Sequence, residues 1–203
     1  SFTALELKTG GFDVSELKDA SFSVVELKGE GFELTELKPV YSVPEIKDAG
    51  YTIVELKTVG YSASLLKEVF TIVELKDASF NVSELKGIYS VSELKDASLN
   101  ATELKTNGFV ANELKGVYSV SELKDASFAL QELKDASFSL QDLKDASFSA
   151  VELKDVSFTI IDLKTGGFTA SELIEETIPV SELKGVYSVS ELKDASLNAT
   201  ELK

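Results

Sequence analysis

The chain has 203 residues, 35 of them acidic and 20 basic, for a net charge of −15, and it contains no cysteine, methionine, tryptophan or histidine. Every basic residue is a lysine. This composition excludes disulfides, thiol chemistry, histidine ligands and arginine clamps, and it lacks the basic footprint that nucleic acid needs. An anionic membrane surface is disfavoured for the same reason, and no apolar run approaches the roughly 20 residues that span a bilayer.

In chain order, Ser1 is followed by 21 tandem units, each opened by Phe or Tyr except where Leu99, Ile178 or Leu197 stands instead. The unit reads aromatic, Ser/Thr/Asn, Val/Ala, any residue, Glu, Leu, Lys, Asp/Thr/Gly, Ala/Val, Ser/Gly, as in Phe138 to Ser147. Fifteen units have ten residues, and those opening at Phe32, Tyr61, Phe80, Phe109 and Ile178 have nine. The last, from Leu197, has seven. Each short unit aligns by removing the residue just before the next unit, so the deletions fall in one connection. The short pairs Phe32 with Tyr61 and Phe80 with Phe109 are 29 residues apart, which points to about three units per superhelical turn.

Residues 1–203 therefore read as a single continuous array whose core is built by stacking one neighbour on the next. The chain opens inside the pattern without a Met, stops inside a unit and shows no polar capping unit. It is expected to be an excerpt of a longer array, with no signal peptide.

Each unit predicts one short helix. Ser, Thr, Asn or Asp at position 2 followed by Glu at position 5 is a capping box, as in Ser90-Val91-Ser92-Glu93, and the preceding aromatic with the following Leu (Tyr89 with Leu94) forms a hydrophobic staple. Ser or Gly at position 10 suits a helix-ending turn with positive φ. The next aromatic then serves two helices. A helix of about six residues lies far below the roughly 12 to 15 at which isolated helices become marginal, so burial of positions 1, 3, 6 and 9 must hold it. The fold expected is an all-α solenoid of short capped helices. The alternative is a right-handed β-solenoid, because large apolar residues also recur every five, as at Phe138, Leu143, Phe148 and Leu153.

Position 5 is Glu in 18 units and Asp at Asp142 and Asp162, while position 7 carries all 20 lysines. The two rows cancel and are expected to keep the outside soluble. Leu65 interrupts the first row and Ile174 the second, which makes both candidates for contact with another chain. Pro39 is expected to end its helix early, whereas Pro44 falls in a first turn that tolerates proline; Pro179 is a further interruption.

The unit resembles the F-S-x-x-E-L-K-x-A-G tandem repeats of large proteins from protists, algae and giant viruses, over the whole chain. That resemblance implies a long extended repeat protein at a surface and brings no activity with it. Ala146-Ser147-Phe148-Ser149 and Gln141-Asp142-Leu143-Lys144 more weakly resemble the pentapeptide-repeat proteins, and that likeness implies the β-solenoid.

Carboxylate pairs such as Asp142 with Asp145 recur in unit after unit without His, Arg or Cys beside them. Residues 89–105 and 187–203 are moreover identical. No enzyme activity, catalytic residue, cofactor or metal site is expected. Asn81, Asn100 and Asn198 open N-glycosylation sequons, yet all three occupy the cap position. The function expected is structural: an acidic rod, fibre or surface filament formed by end-to-end or lateral self-assembly, extracellular or at a surface. The alternative is a solenoid binding module for a protein or glycan.

Overall fold

A computed structural model describes the backbone of residues 2–201 and the exposure of residues 2–195. Its contacts gather into two bodies, Ser1–Ala97 and Ser98–Lys203. The first holds the helices from Ala4–Thr9 to Val91–Asp96, the second those from Ala101–Thr106 to Val189–Glu201. Among the described residues there are twenty helices, one per unit except at the last, and no strand beyond isolated bridges at three turns. The all-α solenoid is the fold. The β-solenoid fails because each Ser-x-x-Glu segment closes into a helical turn before an extended pairing can form.

One ten-residue unit shows why. Ser149 Oγ accepts from the Glu152 amide at 3.1 Å while the Glu152 carboxylate accepts from the Ser149 amide at 2.8 Å, which starts the helix Ala150–Asp155. The helix ends at Ser157, held at φ 68°, where the Ser157 amide donates to the Lys154 carbonyl at 2.8 Å and the Phe158 amide to the Leu153 carbonyl at 3.0 Å. This is a Schellman ending, and Phe158 both closes one helix and precedes the cap of the next. A serine at positive φ is strained by about 1–2 kcal/mol, so the packing around it must hold it there.

The nine-residue units end differently. Their helices are four residues long, such as Leu34–Leu37 and Val82–Leu85. Lys86 becomes extended (φ −60°, ψ 131°) and Gly87 takes the positive φ of 78°, giving a tight turn that recurs at Gly116 and Gly185. In the units of Phe32 and Tyr61, Lys38 and Lys67 stay helical, and the turn needs no left-handed residue. The helix before Pro39 does stop early, at Leu37, but so does its counterpart at Leu66, where Glu68 replaces the proline. The deletion itself therefore shortens the helix. Pro44 sits in a first turn and Pro179 caps the helix Val180–Leu183.

Within each body the Leu row is the deepest layer; Leu27, Leu56, Leu104 and Leu153 are among those with no exposed surface. The aromatic row and the small residues at position 3, such as Ala63 and Ala150, close around it. Among the described residues no charged side chain is buried, and the tyrosine hydroxyls are the polar groups that enter an otherwise apolar core. Burying a large apolar side chain contributes roughly 1.5–3 kcal/mol, close to the backbone entropy of ordering one residue.

One expectation fails at the far end. The chain does not break before Leu197 to start a new unit: Val189–Glu201 is a single helix of 13 residues.

Candidate functional site

The most organised chemistry in the molecule is the lysine row, and it does more than the solubilising role expected of it. Lys28 Nζ donates to the carbonyl oxygens of Ala49 and Gly50, both at 3.1 Å, and lies 3.8 Å from the centre of the Tyr51 ring. Lys38 repeats this on Val59, Gly60 and Tyr61, and Lys124 on Ala146, Ser147 and Phe148. In unit terms, these lysines cap the carbonyls that end the second unit on and cover the aromatic that opens the third. The carbonyls at a helix C-terminus carry the negative end of its dipole, and the ring face is electron-rich, so one ammonium satisfies both.

Several lysines also reach the capping glutamate of that third unit. Lys144 lies 2.9 Å from Glu172, Lys57 3.0 Å from Glu84 and Lys164 3.1 Å from Glu191. These pairs are partly solvated, so each is worth at most about 1 kcal/mol. The lysine contacts thus span the end of the second unit on and the start of the third, whereas helices pack at an interval of two, as Ala4–Thr9 does on Val24–Gly29.

Tyrosine supplies a second tie that sequence reasoning missed. Tyr41, Tyr89, Tyr118 and Tyr187 each open the unit that follows a nine-residue one, a pattern readable in the sequence. The hydroxyls of Tyr41 and Tyr187 donate to the carbonyls of Phe22 at 2.5 Å and Phe168 at 2.6 Å, and that of Tyr118 to Leu99. Those of Tyr89 and Tyr61 are buried without a partner. Burial first, then Glu122 and Glu103, pushes the Tyr118 phenol up to about 12. Burial, then Glu191 and Glu172, does the same to Tyr187.

A third tie runs in the opposite direction. Glu30 and Glu176 replace the usual Ala or Val at position 9, and each carboxylate accepts from an amide two units back, Leu5 at 2.5 Å and Val151 at 3.2 Å.

The capping carboxylates of Glu26, Glu55, Glu93 and Glu191 are held below the ordinary glutamate value by the hydroxyl and amide of the cap itself. The Ser188 hydroxyl and amide, with Lys164, bring Glu191 down to about 2. The Ser90 hydroxyl and then its amide lower Glu93. Where position 2 has no side-chain acceptor, as at Val110 and Ala129, the amide of that residue still donates to Glu113 at 2.8 Å and Glu132 at 2.7 Å, so half of the box survives.

The expected site residues separate on this frame. Asn81 and Asn100 are caps, their Oδ1 atoms accepting from Glu84 and Glu103 at 2.9 Å, and Ser83 of the first sequon donates to Asn81 at 2.6 Å. The side chain of Asn198 lies outside the described residues. Leu65 is 55% exposed, and Ser62 pairs with Ser64 in place of the missing glutamate. Ile174 is half-buried.

Asp142 accepts from Ser139 Oγ at 2.5 Å and Asp145 from Gln141 at 2.8 Å, so both serve their own helix. They line an open groove of about 490 Å³ with Lys115, Tyr118, Ser121 and Phe138. A groove at the corresponding positions, about 400 Å³, lies between Lys18, Val25, Tyr41 and Asp48. It is a recurrent feature of the stack. Among the described residues no group of three or more acids is placed to hold a metal, and no helix is long and apolar enough to cross a membrane.

In the first body, position 4 carries an apolar row. Leu5, Val25, Val54 and Val73 are each more than half exposed, and they belong to units related by the intervals of two and three at which the stack is tied.

These features define a tandem-repeat solenoid held together by recurring ties between units. Residues 1–68 and 117–186 match the model of the family described as the decapeptide repeat region, and the chain belongs to that family. No curated protein and no solved structure matches it.

Proposed function

We propose that the chain is a structural repeat protein that forms a rod, fibre or surface filament by end-to-end or lateral assembly, extracellularly or at a surface, and that it has no enzymatic activity. The observation that supports this reading is the repetition of one tie. The same lysine, ring and carbonyls recur along both bodies, so among the described residues these lysines act on the protein's own next turns. Its partner on this reading is another copy of itself, and the charge of −15 argues against nucleic acid.

Electron microscopy of the purified chain over a concentration series tests this. Fibres much longer than one molecule support assembly; discrete particles at every concentration contradict it.

A binding solenoid is the second reading, and the exposed row Leu5, Val25, Val54 and Val73 favours it, since aligned apolar residues suit a partner's groove or helix. Replacing Val25 and Val54 by Ser distinguishes the two. Loss of fibres assigns the row to lateral self-contact, whereas unchanged assembly leaves it to another partner.

A further inference from the structure

Asn107 is followed by Gly108, and this is the single Asn-Gly pair among the five asparagines of the chain. The pairing matters because an asparagine side-chain amide is open to attack by the backbone nitrogen of the next residue, and only glycine leaves that nitrogen unhindered by a side chain. The other asparagines precede Val82, Ala101, Glu113 and Ala199. Two of these, Asn81 and Asn100, are also engaged elsewhere, since their Oδ1 atoms accept from the amides of Glu84 and Glu103.

Both reacting groups sit at the end of the helix Ala101–Thr106. Asn107 is half-buried, and its Nδ2 donates to the Glu103 carbonyl at 2.9 Å. The Gly108 amide donates to the Lys105 carbonyl at 3.0 Å, with Gly108 at φ 82° and open space where a Cβ would stand. The attacked group and the attacking nitrogen are thus each engaged in closing the helix. Both bonds have to break before that nitrogen can reach Asn107 Cγ.

We infer that Asn107 is a site of spontaneous deamidation, gated by the opening of its turn. The Gly108 nitrogen forms a bond to Asn107 Cγ and gives up its proton, while the Cγ–Nδ2 bond breaks and ammonia leaves, so that a succinimide results. Water then opens this ring at one of its two carbonyls and leaves an isoaspartyl or an aspartyl residue at position 107. The product cannot close the helix as the parent does, because a carboxylate replaces the Nδ2 donor beside the Glu103 carbonyl, at the negative end of the helix dipole. The isoaspartyl form also carries the backbone through an extra methylene just ahead of Phe109, which is buried. The change runs one way, and each event weakens one unit of the array.

Peptide mapping by mass spectrometry of the full chain, held at mildly alkaline pH with and without guanidinium chloride, tests this. Conversion of amide to acid is expected first at Asn107 in both solutions, with an isoaspartyl product resolved by its elution. It should be at least about tenfold slower in the folded chain, corresponding to about 1.4 kcal/mol for opening the turn. Asn107→Asp, which carries one product from the start, should melt below the parent. Deamidation that begins at another asparagine, or that runs at one rate in both solutions, overturns the inference, and an Asn107→Asp chain as stable as the parent overturns the weakening of the unit.

Discussion

The two copies of YSVSELKDASLNATELK separate what a unit encodes from what its neighbours impose. In residues 89–105 the sequence makes two short helices, with Leu94 and Leu104 fully buried; in residues 187–203 the backbone from Val189 to Glu201 is one helix, and Leu192 is only half-buried. Helix propensity and the cap at Ser90 or Ser188 are common to both. What differs is the set of side chains that arrive from other units. The cap at position 2 forms in both copies and is a property of the unit.

The largest expected effect uses that contrast in the core. Leu94→Ala should cost about 2–5 kcal/mol in urea or thermal unfolding, whereas Leu192→Ala should cost clearly less. Equal losses would mean that both copies are packed alike.

Next comes the lysine row. Lys28→Met keeps the aliphatic stem and removes the charge, so two bonds to carbonyls and the contact with Tyr51 are lost together. A loss of about 1–2 kcal/mol is expected, at the level of one charge-assisted bond reduced by solvent access. A change within about 0.3 kcal/mol, as for an ordinary surface lysine, would restore the purely solubilising role.

Smaller still is the tyrosine comparison. Tyr187→Phe should cost about 1 kcal/mol, the usual net worth of one hydrogen bond. Tyr89→Phe should be neutral or stabilising, because its hydroxyl is buried without a partner. The same sign for both would show that the tie to Phe168 contributes nothing.

The smallest effect at any one residue is that of pH. The carboxyl groups of Glu26, Glu55, Glu93 and Glu191 are lowered in the folded chain, so their contribution is present above the ordinary value of 4.5 and is lost as pH falls, with Glu191 the last, near 2. Tyr118 and Tyr187 are raised, so their contribution is present below 10 and is lost as pH climbs towards about 12. Melting temperature followed across both windows should fall at each end. A flat acid limb would show that the caps do not stabilise the folded chain.

How much of this was legible in the sequence follows from range. Caps, staples and the positive-φ serines depend on residues within about five positions, and Ser149 with Glu152 or Ser157 after Lys154 could be read directly. The core rows followed from periodicity. The lysine ladder was not legible, because a lysine five residues after a cap looks like a solvated partner of Glu until the second and third units on are known to lie beside it. The tyrosines after short units were in plain view, yet their meaning required the carbonyls of Phe22 and Phe168 to be placed.

The most direct test of the claim that neighbours, and not the unit, hold the array is amide hydrogen exchange by NMR at Leu94 and Lys95 against Leu192 and Lys193. Identical local sequence gives these pairs the same intrinsic exchange rates, so any difference reports the surroundings alone. The account predicts at least about tenfold slower exchange in the first pair, corresponding to about 1.4 kcal/mol of added local stability. Equal protection in the two copies would contradict it.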